Sequence, residues 1–317
     1  MDAIELDRVV RRFGTLVAVD DVSLSVQQGE VFGLLGHNGA GKTTLIRLID
    51  GVYARHGGSI KVHGLDPRTD GDTIRRHTGV LTESPALDGY LSPTEILRVY
   101  AQMNGVSPAA MRARVPLLLE YLGLRVHADK PAHQLSTGLR QLLALARALV
   151  HDPTTLLLDE PTANLDPVAA RTVRDIITGS ARDRGRTVLL STHNLAEAEA
   201  MCDRVAILRN GRVLAIGAPS ELRQRAEEPD VARIISRPQG AERIVRGLSL
   251  GVTTRIVDEA TVEVHSEMPI REVVALLVVQ GIPIDRVDPL EPTLEDLYVE
   301  LHSGAGQLDA TSMVRVS

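Results

Sequence analysis

The sequence predicts an α/β fold around a mostly parallel sheet, followed by a small α+β domain. Two observations favour this architecture. Apolar runs with the composition of buried strands alternate with helical stretches up to about residue 222, and such alternation is typical of parallel sheets. Beyond a charged run that ends at Pro229, the order of elements changes. A charged, proline-containing stretch between two patterns indicates a domain boundary.

The amino-terminal part is predicted to form an antiparallel β subdomain. Residues 4 to about 30 alternate apolar and polar side chains, which is the pattern of short strands. Val31–Leu35 is then apolar without interruption, as expected of a strand that is buried on both faces. A helical stretch over Lys42–Ile49 follows a glycine-rich turn, and Gly51 is suited to end it.

A helical subdomain is predicted over about residues 90–140. Ser92 is followed by a proline and then by a glutamate three positions after the serine, which is the pattern of a capped helix start. Ser107 and Pro108 begin a second helix in the same way. Residues 139–150 have a largely apolar helical pattern, so we expect this helix to be mostly buried.

Three further strands complete the predicted sheet. They are apolar runs at Thr155–Asp159, Thr187–Thr192 and Arg204–Arg209. Asn210 and Gly211 follow the last run and predict a hairpin turn, because both residue types tolerate a positive φ.

We therefore assign residues 1–222 to the first domain and residues 223–303 to a second, smaller one. The predicted elements of the second domain are strand, helix, strand, strand, helix and strand, at residues 231–236, 240–247, 252–257, 261–265, 269–280 and 283–288. This βαββαβ order is that of ferredoxin-like domains. A last helix is predicted from Thr293, and residues 304–317 are predicted to form a flexible tail.

Composition argues against several functional classes. The net charge of −6 over 317 residues is unlike that of a general nucleic-acid-binding protein, which usually carries a basic face. No apolar run approaches the roughly 20 residues of a membrane-spanning helix, and the first residues lack the pattern of a signal peptide. Cys202 is the single cysteine, so we expect no disulfide framework and a reducing compartment.

A phosphate-binding loop is predicted between the first buried strand and the helix that follows it. The segment fits the pattern G-x-x-x-x-G-K-[ST] in full, in its required strand–loop–helix context, which a glycine-rich turn without a ligand does not explain. Its glycines let backbone N–H groups face phosphates at a helix N-terminus. Lys42 is expected to reach the β- and γ-phosphates, and Thr43 to offer a hydroxyl to Mg²⁺. The nucleotide-binding residues predicted here are Gly36, His37, Asn38, Gly39, Ala40, Gly41, Lys42, Thr43 and Thr44.

Two carboxylates are predicted at the end of a buried strand. Asp159 and Glu160 follow an apolar run directly. Asp159 suits a role in holding Mg²⁺, and Glu160 suits polarising an attacking water. Such a pair is weak evidence for a catalytic site by itself. It becomes strong evidence in a chain that also has a complete phosphate-binding loop.

The segment at residues 135–141 indicates the family. It reads Leu135-Ser136-Thr137-Gly138-Leu139-Arg140-Gln141 and resembles the signature loop of ATP-binding cassette (ABC) proteins. The resemblance extends over about residues 4–217, with the motifs in the order of that family. Phe13 occupies the position of an aromatic residue that stacks on adenine, Glu83 that of the Q-loop residue, and His193 that of the switch histidine.

The resemblance implies an ATPase with ATP and Mg²⁺ as cofactors. The catalytic residues that it implies are Glu160, His193 and Glu83. The metal ligands that it implies are Thr43, Glu83 and Asp159. It also implies a head-to-tail homodimer, in which each ATP lies between the phosphate-binding loop of one copy and the signature of the other. The residues that would contact this ATP from the second copy are Leu135, Ser136, Thr137, Gly138 and Gln141, and Asp166 would belong to the D-loop between the copies.

Each single residue also has a simpler interpretation. Phe13 could be a core or edge aromatic residue, His193 a structural histidine, and Glu83 a solvated loop charge. The sequence departs from the family pattern at Glu83, where glutamine is usual, and at Thr137, where glycine is usual. Leu142 stands where a basic residue is frequent. We expect none of these departures to abolish hydrolysis, because the catalytic set is complete.

The segment at residues 291–298 resembles the carboxyl-terminal segment of ATPase subunits from type-2 ABC exporters, including daunorubicin-resistance-like drug exporters. This resemblance implies efflux of a drug, lipid or other amphiphile through a separate integral membrane permease. The chain would then be cytoplasmic and bound to the inner face of the cell membrane through that permease. A simpler interpretation is an amphipathic last helix. The alternatives for the whole chain are a soluble regulatory or ribosome-associated ABC-type ATPase and a non-enzymatic binding module.

Overall fold

The fold is given by a computed structural model, which describes residues 2–84, 86–224, 230–236, 240–248, 252–266 and 268–289, and the single positions 293, 294, 297, 298 and 301. The chain divides into two compact units, Met1–Pro219 and Ser220–Ser317.

The first unit contains two sheets. Its strands are β1 (Asp2–Phe13), β2 (Leu16–Gln27), β3 (Val31–Leu35), β4 (Gly57–Val62), β5 (Thr78–Leu81), β6 (Thr155–Asp159), β7 (Thr187–Thr192), β8 (Arg204–Arg209) and β9 (Arg212–Gly217). Its helices are α1 (Lys42–Ile49), α2 (Gly71–His77), α3 (Pro93–Met103), α4 (Pro108–Tyr121), α5 (Thr137–Leu149), α6 (Pro167–Arg184) and α7 (Leu195–Met201). Helix α8 (Pro219–Gln224) spans the division between the units, and the predicted domain boundary between residues 222 and 223 falls within this helix.

The antiparallel sheet has the order β2-β1-β4. The prediction of several short strands over residues 4–30 was wrong, because this region forms two strands of 12 residues each. Register shifts between Leu6 and Arg12 interrupt the pairing of β1 with β2. Such bulges break the strict alternation of buried and exposed side chains, so long strands read as short ones in the sequence.

The six-stranded sheet has the order β5-β6-β7-β3-β8-β9 and is parallel except for β9. The predicted mostly parallel core is therefore confirmed. Every residue of β3, β6 and β7 is buried, as expected for central parallel strands. Because neighbouring parallel strands share a direction, the loops after β3, β5, β6 and β7 all begin at one edge of the sheet.

Helices α3, α4 and α5 lie in the predicted helical region. The side chains of Ser92, Ser107 and Ser136 cap their first turns, each accepting a backbone N–H. Short 3₁₀ turns at Arg125–His127 and Ala132–Gln134 connect α4 to α5. Elements β4, β5, α2, α6 and α7 have no counterpart in the sequence prediction.

The second unit has the predicted βαββαβ order of elements. They are β10 (Asp230–Ile235), α9 (Ala241–Gly247), β11 (Val252–Ile256), β12 (Thr261–Ser266), α10 (Ile270–Val279) and β13 (Arg286–Pro289). The strands form an antiparallel sheet in the order β11-β12-β10-β13. Its core is apolar and includes Ile234, Ile244, Val262 and Leu277. The predicted tail, residues 304–317, and four of the eight residues of the segment at 291–298 lie outside the described residues.

Across the described ranges, the helices are too short or too polar for any of them to cross a lipid bilayer.

Candidate nucleotide-binding and hydrolysis site

The predicted phosphate-binding loop joins β3 to α1 at the carboxyl edge of the parallel sheet. Gly41 has a φ of 107°, and a Cβ added there would lie 2.5 Å from the carbonyl oxygen of Ala18. Only glycine fits that position. Helix α1 begins directly after Gly41 without a side-chain cap and without an acidic residue in its first turn. Its first N–H groups are therefore available to an anion.

Lys42 is buried, and its side chain turns back along the loop. Its ammonium group donates hydrogen bonds to the carbonyl oxygens of Gly36 and His37, at 2.5 and 3.4 Å. It also forms an ion pair of 3.2 Å with Oε1 of Glu160. The loop therefore holds a positive charge next to the end of β6, where the predicted carboxylates lie.

Asp159 lies within hydrogen-bond distance of two hydroxyl groups. Its Oδ1 accepts hydrogen bonds from Thr43 Oγ1 at 3.1 Å and from Ser191 Oγ at 2.6 Å. Carboxylate and hydroxyl oxygens are hard ligands that suit Mg²⁺, which usually binds one or two protein groups and completes its shell with water and phosphate oxygens. Thr43 and Asp159 therefore fit the predicted metal site.

Glu160 is held in place by its backbone and by both carboxylate oxygens. Its φ is 49°, and its N–H donates to the backbone oxygen and to Oγ of Ser191, at 3.2 and 3.0 Å. Its Oε2 lies 2.9 Å from Nδ1 of His193. The carboxylate is thus buried between Lys42 and the exposed imidazole of His193. The structure brings together Lys42, Glu160 and His193 as predicted.

Phe13 and Glu83 do not belong to the hydrogen-bonded group of Lys42, Asp159, Glu160 and His193 among the described residues. Phe13 ends β1 and is 38 % exposed, so part of its ring is open to a ligand. Glu83 is exposed in the loop after β5, the strand that pairs with β6. It does not contact Asp159 or Glu160 among the hydrogen bonds and ion pairs of the described residues, so its role stays a prediction.

The signature residues surround the start of α5. Ser136 accepts the N–H of Leu139 at 3.3 Å and caps the helix, while Leu135 is buried and Thr137 and Gly138 form the first turn. Gln141 is buried, and its Nε2 donates to the carbonyl oxygen of Pro161 at 2.8 Å. This bond joins α5 to the loop after Glu160 in the same chain, and the contact of Gln141 with ATP of a second copy stays a prediction.

Asp166 caps α6. Its Oδ1 accepts the N–H groups of Val168 and Ala169, each at 3.0 Å, and the residue is exposed. The D-loop position therefore has a structural function within the chain and still faces outward.

Sequence reasoning missed a buried network behind Glu160. Glu197 accepts a hydrogen bond from Thr162 Oγ1 at 2.5 Å and forms an ion pair of 2.9 Å with Arg174. Its own N–H is bonded to the side chain of Asn194, the cap of α7. Glu197 thus links the loop after Glu160 to α6 and α7. The one sequence signal was the Asn194 cap three residues before a glutamate.

A cavity of about 620 Å³ lies at the opposite edge of the sheet and is lined by Arg186, Thr187 and Thr154 among others. Its buried cation, Arg186, is bonded to Pro153, Ser180 and Asp152. The charge of Arg186 is thus matched within the chain.

The chain is similar in sequence to ATP-binding proteins of transport systems. The family model described as ABC transporter matches residues 19–163. A Nod factor export ATP-binding protein I from Paraburkholderia xenovorans is 42 % identical over 220 residues, which are 69 % of this chain and 72 % of that protein. An uncharacterized ABC transporter ATP-binding protein from Bacillus subtilis, YhcH, is 34 % identical over 305 residues, which are 94 % of this chain and 95 % of that protein.

Solved structures agree with the sequence relatives. An ATP-binding subunit of an ABC transporter superposes with a TM-score of 0.65 at 32 % identity, over 70 % of this chain and 92 % of that one. The ADP conformation of another ABC transporter cassette superposes with a TM-score of 0.62 at 26 % identity, over 70 % and 92 %. The phosphate-binding loop, the carboxylates of Asp159 and Glu160, and His193 thus lie in a fold that this chain shares with nucleotide-binding cassettes. The chain belongs to the ABC transporter family, as an ATP-binding subunit that hydrolyses ATP.

Proposed function

We propose that this chain is the ATP-hydrolysing subunit of an ABC exporter and energises efflux through a separate integral membrane permease. Its relatives from Paraburkholderia and other bacteria are named as Nod factor export proteins, and this supports an export direction. Drugs, lipids and other amphiphiles are the cargo classes that we consider. A soluble regulatory or ribosome-associated ATPase is the alternative, and no contact in the described residues favours it.

The observation that supports hydrolysis most directly is the position of Glu160. Its carboxylate lies between Lys42, which would contact phosphates, and His193, which is exposed toward the same edge. A carboxylate so placed can accept a proton from an attacking water, and the imidazole can hold the carboxylate or the phosphate in position. Mg²⁺, bound through Thr43 and Asp159, would neutralise phosphate charge.

We further propose that the active form is a homodimer of cassettes. Among the described residues, no hydrogen bond or ion pair joins Ser136, Thr137 or Gly138 to the phosphate-binding loop of the same chain, although the start of a helix is suited to bind an anion. A second copy could bring this helix start to the phosphates. ATP would then close the dimer, and hydrolysis at Glu160 would let it open.

Docking on the permease would bring the chain to the inner face of the cell membrane without direct contact with lipid. The helical region presents large apolar side chains to solvent, including Tyr90, Met103, Leu117, Tyr121 and Val126. Exposed apolar groups of this kind commonly mark protein interaction sites. Residues 223–303 would form an accessory domain that follows the cassette of residues 1–222 in the sequence.

Mixed dimers test the shared site. Lys42→Ala should inactivate the phosphate-binding loop, and Gly138→Asp should repel phosphate from the signature, where a Cβ meets only Ala169 at 3.3 Å. Each variant alone should lose ATPase activity. A mixture should regain part of it, because one of the two sites in a mixed dimer is intact. Absence of any recovery, with both variants folded and mixed dimers demonstrated, would refute the homodimer.

Export is tested by co-expressing the chain with candidate integral membrane permeases from its source genome. We expect the chain and its permease to purify together from membranes and to drive ATP-dependent efflux from vesicles, with Glu160→Gln as the inactive control. Recovery of the chain with ribosomes, and not with membranes, would favour the alternative function.

A further inference from the structure

A cluster of two rings and two cations surrounds Phe13. The ring centroids of Phe13 and Tyr53 are 5.3 Å apart, at an interplanar angle of 73°. The guanidinium carbon of Arg11 lies 4.5 Å from the Phe13 centroid and 5.1 Å from the Tyr53 centroid. Arg47 lies 5.6 Å from the Tyr53 centroid. Edge-to-face rings and cations over rings are both attractive arrangements.

Phe13 has little support from its own hairpin. It is the last residue of β1, directly before the two-residue turn to β2, and Gly14 in this turn has a φ of 57°. Its partner across the hairpin, Leu16, is 64 % exposed. The ring therefore depends on contacts from elsewhere for a fixed orientation.

Tyr53 provides such a contact and is itself anchored to α1. Its backbone N–H donates to the carbonyl oxygen of Arg47 at 3.0 Å, and its hydroxyl accepts a hydrogen bond from Arg47 Nη1 at 2.8 Å. Its ring packs against the main apolar core. Arg47 belongs to α1, the helix that begins at the phosphate-binding loop. Through Tyr53, the orientation of Phe13 is tied to the helix that would hold the phosphates.

Arg11 completes the cluster from the side of β1. Its Nη1 donates to the carbonyl oxygen of Ala54 at 2.6 Å, and its Nε is buried without a hydrogen-bond partner among the described residues. A partly desolvated guanidinium gains from the electron-rich faces of neighbouring rings. Arg11 lies over one face of Phe13, and the residue is 38 % exposed, so part of the ring is open to a base.

We propose that Tyr53 is a positioning residue for the nucleotide base, which fixes the ring of Phe13 relative to the phosphate-binding helix so that adenine and triphosphate are bound together. This inference rests on the proposed role of Phe13 in adenine binding. Tyr53 does not contact the nucleotide itself. Loss of its ring should therefore weaken base recognition and leave phosphate recognition and the chemical step unchanged.

The test compares KM and kcat for ATP in the purified chain, together with the affinity for inorganic tripolyphosphate, which has no base. Tyr53→Ala should raise KM for ATP about three- to tenfold, the range expected for losing an aromatic pair, with kcat and tripolyphosphate affinity unchanged. Tyr53→Phe keeps the ring and should restore most of the affinity. Tyr53→Leu, which keeps apolar volume in the core, replaces the alanine variant if that variant does not fold.

Tyr100 offers a matched control, because Arg147 lies 4.9 Å from its ring centroid in the helical region. Tyr100→Ala should leave KM for ATP unchanged. In a Phe13→Ala background, Tyr53→Ala should have no further effect on KM if Tyr53 acts through Phe13. A normal KM in Tyr53→Ala, or a further rise in the double variant, would overturn the inference. A normal KM in Phe13→Ala would instead overturn the adenine-binding role of Phe13.

Discussion

The ammonium group of Lys42 lies 3.2 Å from Oε1 of Glu160, so the predicted phosphate ligand and the predicted catalytic carboxylate form an ion pair. The pair is buried, and the same carboxylate bonds to His193 through its other oxygen. A bound phosphate would compete with Glu160 for this ammonium. In this geometry, nucleotide binding is therefore coupled to the release of the Glu160 carboxylate from its ion pair with Lys42.

The first prediction concerns Glu160→Gln. The amide cannot accept a proton from water, so steady-state phosphate release should fall by at least about a hundredfold, the lower range for loss of a general base. ATP binding should be retained or tightened, because the amide no longer competes for Lys42. The variant should also accumulate as an ATP-bound dimer, which size-exclusion chromatography with ATP would detect. Hydrolysis at the wild-type rate would show that Glu160 does not have this role.

Phe13→Ala provides the second prediction. Loss of base stacking should weaken ATP binding by roughly 1–3 kcal/mol, whereas tripolyphosphate should bind as it does to the wild type. Calorimetric titration of both ligands measures the difference. If ATP affinity did not change, Phe13 would be an edge aromatic residue without contact to the base.

The sheet and the phosphate-binding loop could be predicted because their signals are local. A strand buried on both faces reads as an uninterrupted apolar run, and β3, β6, β7 and β8 begin and end where the sequence indicated. Helix α1 also has its predicted bounds, since the loop motif fixes its start. The phosphate-binding loop follows β3, Asp159 ends β6 and His193 follows β7, so the parallel topology brings them to one edge of the sheet.

The residues that position the site could not be predicted, because their contacts are not local. Ser191 bonds to Asp159 and Glu160, and Glu197 bonds to Thr162, across more than 30 positions of sequence in each case. Helix α6 was missed for a different reason. Most of its residues are polar or exposed, and only a narrow strip around Val173 and Ile177 is buried.

The third prediction tests the network of Glu197. Glu197→Ala leaves the hydroxyl of Thr162 and the guanidinium of Arg174 without their partner in a mostly buried region. The free energy of unfolding should fall by about 2 kcal/mol, within the range for a broken buried hydrogen bond to a charged group. ATPase activity should also fall, since the loop after Glu160 loses its attachment. Glu197→Gln keeps an acceptor oxygen, so its free energy of unfolding, measured by denaturant titration, should fall less than that of Glu197→Ala. Equal losses in the two variants would argue against a stabilising role for the hydrogen bonds of Glu197.

The fourth prediction concerns the pH dependence of stability and Asp50. This carboxyl group follows α1, is 7 % exposed and has an oxygen without a hydrogen-bond partner among the described residues. Burial raises the pKa of Asp50 to about 6, although the charge of Arg75 opposes this shift. A carboxyl group with a raised pKa binds a proton more tightly when folded. Its ionisation therefore costs stability above pH about 6, and this cost is relieved as the pH falls toward the ordinary range near 4.

Asp50→Asn removes this titration. The difference in unfolding free energy between the wild type and Asp50→Asn should shift in favour of the wild type by about 2 kcal/mol as the pH is lowered from 7.5 to 4.5. This is most of the roughly 2.7 kcal/mol that corresponds to a shift of two pKa units. Asp66 is the internal contrast, because its hydrogen bonds with Arg55 lower its pKa to about 2. Its contribution is present above pH about 4 and is lost only as the pH falls toward 2, so Asp66→Asn should give a constant difference over the same range. Urea titrations of both variants and the wild type at several pH values measure these differences in unfolding free energy. A difference for Asp50→Asn that does not change with pH would show that the pKa of Asp50 is not raised in the folded protein.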